Sequence, residues 1–247
     1  PYPQPSRPPS LMNTAAPDGY LLPHNVDALK LAEMLGGDAC CVLGETRSFS
    51  LRFFDSFDWR LDQAGFRLLQ VWTPDGGELR LKPASGGEPV ATGLFDDVPA
   101  WPADLPAGAL QDAVAKALEM RVLLEFVSIE AAATELRLLN DEGKTVVRLQ
   151  YLQMQCRSAD VAEPRALWPR VRLMAVRGYD KELANLTDRL TGELEWPVAP
   201  VCVFDEAATA VGREPGDYTS KLDVKLKPDE HAIDATRRVL QTLLETL

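Results

Sequence analysis

The residues with the clearest chemical potential are cations set in strand-like runs. Arg80 and Lys82 lie two apart, as do Arg170 and Arg172, and alternate residues of a strand face the same side. Each pair would present two positive side chains together, which suits an oxyanion such as a phosphate. Arg52, Arg137 and Arg148 lie in further strand-like segments and join them as candidates. Cations alternating with apolar residues are also what any sheet with one wet face displays, so a plain structural reading stands beside the functional one. The carboxylates are less well arranged. Glu125 and Glu130 sit at odd spacing, and Asp141 and Glu142 occupy a turn, where a solvated role is expected. The two histidines, His24 after a proline and His231 beside Glu230, offer little material for a zinc site or a Ser-His-Asp triad. Gly76-Gly77 and Gly86-Gly87 lack a following helix with Lys-Ser/Thr, which excludes a phosphate-binding P-loop. The tryptophans are scattered rather than spaced as base-stacking platforms.

The elements that must hold these side chains come from a chain of 247 residues, 46% of them hydrophobic, enough for one substantial core. A net charge of -11 and a pI near 4.7 repel polyanions at long range, which argues against nucleic acid as a partner. Cys40, Cys41, Cys156 and Cys202 show no Cys-x-x-Cys spacing, and a reducing, cytoplasmic setting is expected. No run approaches the roughly 20 apolar residues that span a bilayer, so no membrane partner is expected. Residues 1–10 are too proline-rich for a helix or a ladder and read as a loose arm.

Along the chain, Asn25 is placed to cap a helix carrying Val26, Leu29, Leu31 and Leu35, with Gly36-Gly37 ending it. Residues 39–42 and 48–54 suit strands, and 65–73 with 78–83 form a hairpin around Pro74-Asp75-Gly76-Gly77. Residues 83–108 read as a long connection before a helix over 109–120 with Leu110, Val114 and Leu118 on one face. Strands follow over 121–129, 135–140, 144–156 and 170–176, with Asn140-Asp141-Glu142-Gly143 as a turn. Residues 179–194 and 204–212 read as helical, 221–226 as a half-buried strand, and a last helix runs from Pro228. About eight antiparallel strands with inserted helices predict an α+β protein on a closed or nearly closed β-barrel, a form that leaves no unpaired edge.

Phe53-Phe54-Asp55-Ser56-Phe57-Asp58-Trp59-Arg60-Leu61, with Ala64-Gly65-Phe66-Arg67-Leu68 after it, resembles a segment of the CYTH family, also called the triphosphate tunnel metalloenzymes. Arg177-Gly178-Tyr179-Asp180-Lys181-Glu182 and Gly212-Arg213-Glu214-Pro215-Gly216-Asp217-Tyr218-Thr219-Ser220-Lys221-Leu222 resemble the later part of CYTH regions that precede a CHAD domain, a helical module associated with polyphosphate. The resemblance runs over roughly residues 20–247 and implies a tunnel whose Lys and Arg grip a triphosphate while paired glutamates hold Mg²⁺ or Mn²⁺. It adds Arg67 and Lys221 to the anion-binding candidates. It also places Ala15, Pro17 and Gly19 where the family carries Glu, Glu and Lys, and Arg170 and Arg172 where it carries a second carboxylate pair.

These losses imply a degenerate, non-catalytic member, with no metal or other cofactor expected. Its expected role is to bind a triphosphate or polyphosphate-type anion, or to serve as scaffold for a polyphosphate-associated CHAD module. The alternatives are a triphosphatase with relocated Mg²⁺ or Mn²⁺ ligands and a purely structural barrel. The expected division is a flexible arm over 1–19, the barrel over 20–228 and a C-terminal helix over 229–247 that leads into a CHAD domain.

Overall fold

A computed structural model of the chain describes residues 19–36, 40–159, 161–217, 224 and 231–246. Nine antiparallel strands form one sheet: β1 (Tyr20–Leu21), β2 (Cys40–Asp55), β3 (Phe66–Thr73), β4 (Gly76–Pro83), β5 (Ala91–Leu94), β6 (Leu124–Leu139), β7 (Thr145–Ser158), β8 (Val161–Ala166) and β9 (Arg170–Ala175). Six helices accompany them: α1 (Ala28–Leu35), α2 (Arg60–Gln63), α3 (Ala109–Leu118), α4 (Asp180–Asp188), α5 (Val203–Ala210) and α6 (Ala232–Thr246). The strand order is β1-β9-β7-β6-β2-β3-β4-β5, with β8 on β7 outside that path. The α+β class is as expected. Against the expected closed or nearly closed barrel of about eight strands, the sheet has nine strands and, among the described residues, no hydrogen bonds join its two ends.

Several expected elements merge. The strands expected over 39–42 and 48–54 are one strand, β2, carried past Gly44 by a bulge between Leu43 and Thr46. Those expected over 121–129 and 135–140 are likewise one strand, β6. The small Ala131, Ala132 and Ala133 between them are a poor strand signal, and Ala131 and Ala133 join the apolar cluster that includes α5. The helix cap is Asp27, whose side chain accepts the Lys30 N–H at 2.8 Å, rather than Asn25, and Leu29 faces solvent. The connection over 83–108 contains β5, and β8 also went unread. The strand expected over 221–226 lies almost wholly outside the described residues, and so does Lys221.

The two faces of the sheet are told apart along β7. Leu152, Met154 and Cys156 point to one face, where they meet Leu51, Phe53, Leu69, Val127 and Ile129 under Val203, Phe204 and Ala207 of α5. Val147, Leu149 and Tyr151 point to the opposite face, beneath α1 and α4. At the far end of that opposite face, α3 covers Phe54, Leu68, Leu79 and Leu81. Period-2 alternation thus feeds three apolar clusters from one sheet.

The first and last of the segments that carry the family resemblance dock on each other. Asp55 accepts the backbone N–H groups of Ser56, Leu61 and Asp62 at 2.7 to 2.9 Å, fixing the turn from β2 into α2. The turn places Trp59 in left-handed backbone at φ 57°, stacked on Phe126 with ring centroids 4.3 Å apart. The indole Nε1–H then donates to Asp217 Oδ1 at 2.7 Å, and Asp217 in turn accepts from Arg213 Nε at 2.8 Å. The motif residues Asp55, Trp59, Arg213 and Asp217 therefore build the fold.

Their titration gives the fold a defined acid sensitivity. Burial pushes the Asp58 carboxyl up, but hydrogen bonds from Arg60, Ser56 and Arg121 outweigh it and hold the group below the ordinary value of 3.8. Asp217 is likewise pushed up by burial and brought below 3.8 by Arg213, Trp59 and the Glu214 N–H. A value lowered in the fold stabilises above 3.8 and loses that contribution as pH falls through the folded value. Asp55 has the opposite sign, because burial raises it more than its backbone donors lower it; its contribution is present below 3.8 and lost as pH rises through its folded value. We expect the urea midpoint to drop as pH is taken below 3.8. Asp58→Asn should be less stable at neutral pH and show a shallower acid decline, and an unchanged decline would refute the assignment.

Candidate anion site

Cross-strand register decides which of the predicted cations can act together, because directly opposite residues share a face. Arg67 lies opposite Lys82, and Leu69, which faces α5, lies opposite Arg80. Arg170 lies opposite Leu152, Arg172 opposite Gln150, and Arg137 opposite Arg148, all on that same α5 face. Arg52 lies opposite Gln70 and Ser128 on the other face, where it donates to Glu125 at 2.7 Å and sits over the Phe54 ring. Seven of the predicted residues thus share one face, and Arg52 does not.

They form two groups separated by the apolar middle of the sheet. In the first, on β3 and β4, Arg67 reaches α5: Nη2 donates to Asp205 Oδ1 and Nη1 to Cys202 Sγ, each at 2.6 Å. Its guanidinium also lies over the Phe204 ring at 4.5 Å, while its buried Nε has no acceptor. The Cys202 thiol donates to Asp205 Oδ2 at 3.0 Å, and burial together with that bond raises its pKa, so it remains a thiol. Arg80 is held by Glu78 at 2.6 Å on its own strand, and Lys82 is buried. Every described arginine of this group already has a carboxylate.

The second group lies on β6, β7 and β9. Arg170 is fully buried and paired with Glu206 of α5, whose other oxygen accepts the Trp168 N–H at 2.7 Å. Asp205 and Glu206, adjacent residues in the first turn of α5, thus bind arginines from the two groups. Sequence reading missed both acids, which look like ordinary favourable charges at a helix start. Arg137 and Arg148 differ. They are exposed, directly opposite each other, and form no hydrogen bond or ion pair among the described residues. Arg172, half-buried on β9, is diagonal to Arg148 on the same face. Glu135 is the acid nearest in register, two residues from Arg137, and it forms no ion pair with the row.

The position expected to carry the family's lysine is held by Gly19, at φ 104°, hydrogen bonded through its carbonyl to Ala199 N–H at 2.9 Å. A Cβ there would stand 2.7 Å from Val171 O, so any side chain requires the backbone to move. Ala15 and Pro17 lie outside the described residues. Among the described residues no three His, Cys, Asp or Glu side chains gather where one ion could be held. Among the described residues no helix is long and apolar enough to cross a membrane.

No family model matches the sequence, and no curated protein matches it. Among solved structures the chain is similar to a Hippeastrum protein designated an adenylyl cyclase and reported to have a dominant triphosphatase activity. The TM-score is 0.52 at 12% identity, covering 81% of this chain and 97% of that one. It is also similar to a Bacillus halodurans protein designated an adenylate cyclase, at TM-score 0.43 and 13% identity over 77% of this chain and 95% of that one. The Hippeastrum likeness, at an identity that speaks for fold alone, shows that this chain shares the fold of that protein.

Proposed function

We propose that this chain is a non-catalytic domain of CYTH type that binds a phosphate-rich anion, of the triphosphate or polyphosphate class, on Arg137 and Arg148, in the row that Arg172 flanks. The observation that carries the reading is the direct opposition of Arg137 and Arg148, without a partner for either among the described residues, in a chain of net charge -11. Like charges directly opposite on a sheet destabilise it, so their juxtaposition makes best sense where an anion bridges them. The two guanidinium groups, on adjacent strands, supply planar forks that match phosphate oxygens. The inner arginines Arg67 and Arg170 are neutralised by α5, which confines an incoming anion to the exposed row. Gly19, packed on β9 where a metal-assisted hydrolase of this type would need a lysine, supports binding without turnover.

Calorimetric titration of the chain with tripolyphosphate tests the reading. Binding should weaken as salt rises, because displaced counterions oppose it. Arg137→Gln with Arg148→Gln should lose affinity about tenfold or more, while gaining up to about 1 kcal/mol of stability as the like-charge pair disappears. No orthophosphate should be released with Mg²⁺ or Mn²⁺. Unchanged affinity in the double variant would remove the row from the site, and metal-dependent phosphate release would sink the non-catalytic reading.

A further inference from the structure

The face of the sheet opposite α5 is left bare between α3 at one end and α1 with α4 at the other. A cleft of about 690 Å³ runs across this gap, a volume suited to a small organic ligand. It lies on the opposite side of the sheet from the arginine row and is independent of it. The register aligns its lining in a cross-strand row: Trp72 on β3 is opposite Ser50 on β2, Ser50 is opposite Glu130 on β6, and Glu130 is opposite Gln155 on β7. Ala132 and Gln153, also directly opposite, form the next row. The small Ser50 and Ala132 make the floor, and the longer side chains make the walls.

Trp72 is held as a platform. A Cβ on Gly77 would come within 2.7 Å of the Trp72 ring and 2.1 Å of Phe95 O, so the glycine allows the indole to lie close against β4. The residue nevertheless stays 39% exposed, so a buried role does not account for its size. Across the floor, Gln155 donates to Glu130 at 2.6 Å, an amide–carboxylate pair with remaining donor and acceptor capacity. Glu130 carries the charge of the lining and also has Arg157 at 3.8 Å, beyond the floor. An aromatic ring lining one cleft with amide, hydroxyl and carboxylate groups matches a ligand with apolar C–H faces and many hydroxyls. The acidic lining and the net charge of -11 disfavour an anion.

We propose that this cleft binds a neutral oligosaccharide, with Trp72 stacked on a sugar ring and Gln153, Gln155 and Glu130 taking its hydroxyls. The test is calorimetric titration of the whole chain with neutral tetrasaccharides of α- and β-linked glucose, β-linked xylose and β-linked N-acetylglucosamine. At least one should bind with Kd of about 1 mM or tighter. Trp72→Ala, at an exposed position that leaves the fold intact, should weaken it about tenfold or more, and Trp72→Tyr should retain most of the affinity. Gln153→Ala should weaken it less, and tripolyphosphate binding should be unaffected by any of the three. The proposal is overturned if none of the four sugars binds, or if Trp72→Ala binds as the parent does.

Discussion

Glu206→Ala is expected to lower the stability of this chain by about 3–5 kcal/mol, the loss that follows when one partner of a buried ion pair is removed. Arg170 is fully buried and the Glu206 side chain is 15% exposed. Truncation takes that carboxylate from a buried guanidinium and also removes the acceptor of the Trp168 N–H. The midpoint of urea denaturation at neutral pH measures the effect. A double replacement, Arg170→Met with Glu206→Leu, should recover most of the loss, since apolar side chains of similar volume remove both desolvation penalties. The exposed pair of Lys144 and Glu142, 64% and 68% accessible, provides the contrast: Glu142→Ala should change stability by less than about 1 kcal/mol. Equal effects at the two sites would mean that Arg170 is solvated in solution.

The second large effect falls on Trp59. Trp59→Ala should cost about 3–5 kcal/mol, because a side chain 1% exposed leaves a cavity against Phe126 and Phe204. It also strips the Asp217 carboxylate of an indole donor, detaching the segment after α5 from the turn after β2. The backbone adds a sharper expectation. Trp59 sits at φ 57°, which alanine adopts at a cost and glycine does not, so Trp59→Gly should be less destabilised than Trp59→Ala by about 1 kcal/mol. Chemical denaturation of the two variants side by side decides it. The reverse order would show that the turn relaxes once the indole is gone.

Local chemistry made the hairpins legible: Pro74-Asp75-Gly76-Gly77 and Asn140-Asp141-Glu142-Gly143 join strands where expected. The edge strands β5 and β8 were hidden by glycine and proline, Gly93 in one and Pro164 in the other, residues that an edge tolerates and a central strand does not. Alternation paired Arg80 with Lys82 and Arg170 with Arg172, but only the register put seven cations on one face and Arg52 on the other. Near that end both faces of β2 are apolar, with Phe53 packed under α5 and Phe54 under α3, so polarity does not mark which side is inside. The neutralising acids were beyond reach for another reason. Asp205 meets Arg67 across 138 positions of chain, a pairing that no local pattern encodes.

Helix α5 grips β3 through Asp205 and β9 through Glu206, and β2, β6 and β7 lie between those two strands in the sheet. It works as a strut. Strands with no hydrogen bond between them are held at a fixed separation by two charge pairs on consecutive residues of one rigid helix. Because the Arg170 end is buried, bulk salt does little to slacken it. Flattening the sheet or peeling β9 away would have to unseat α5 and with it the Arg67 contact, so β3 and β9 open as one cooperative unit although neither touches the other.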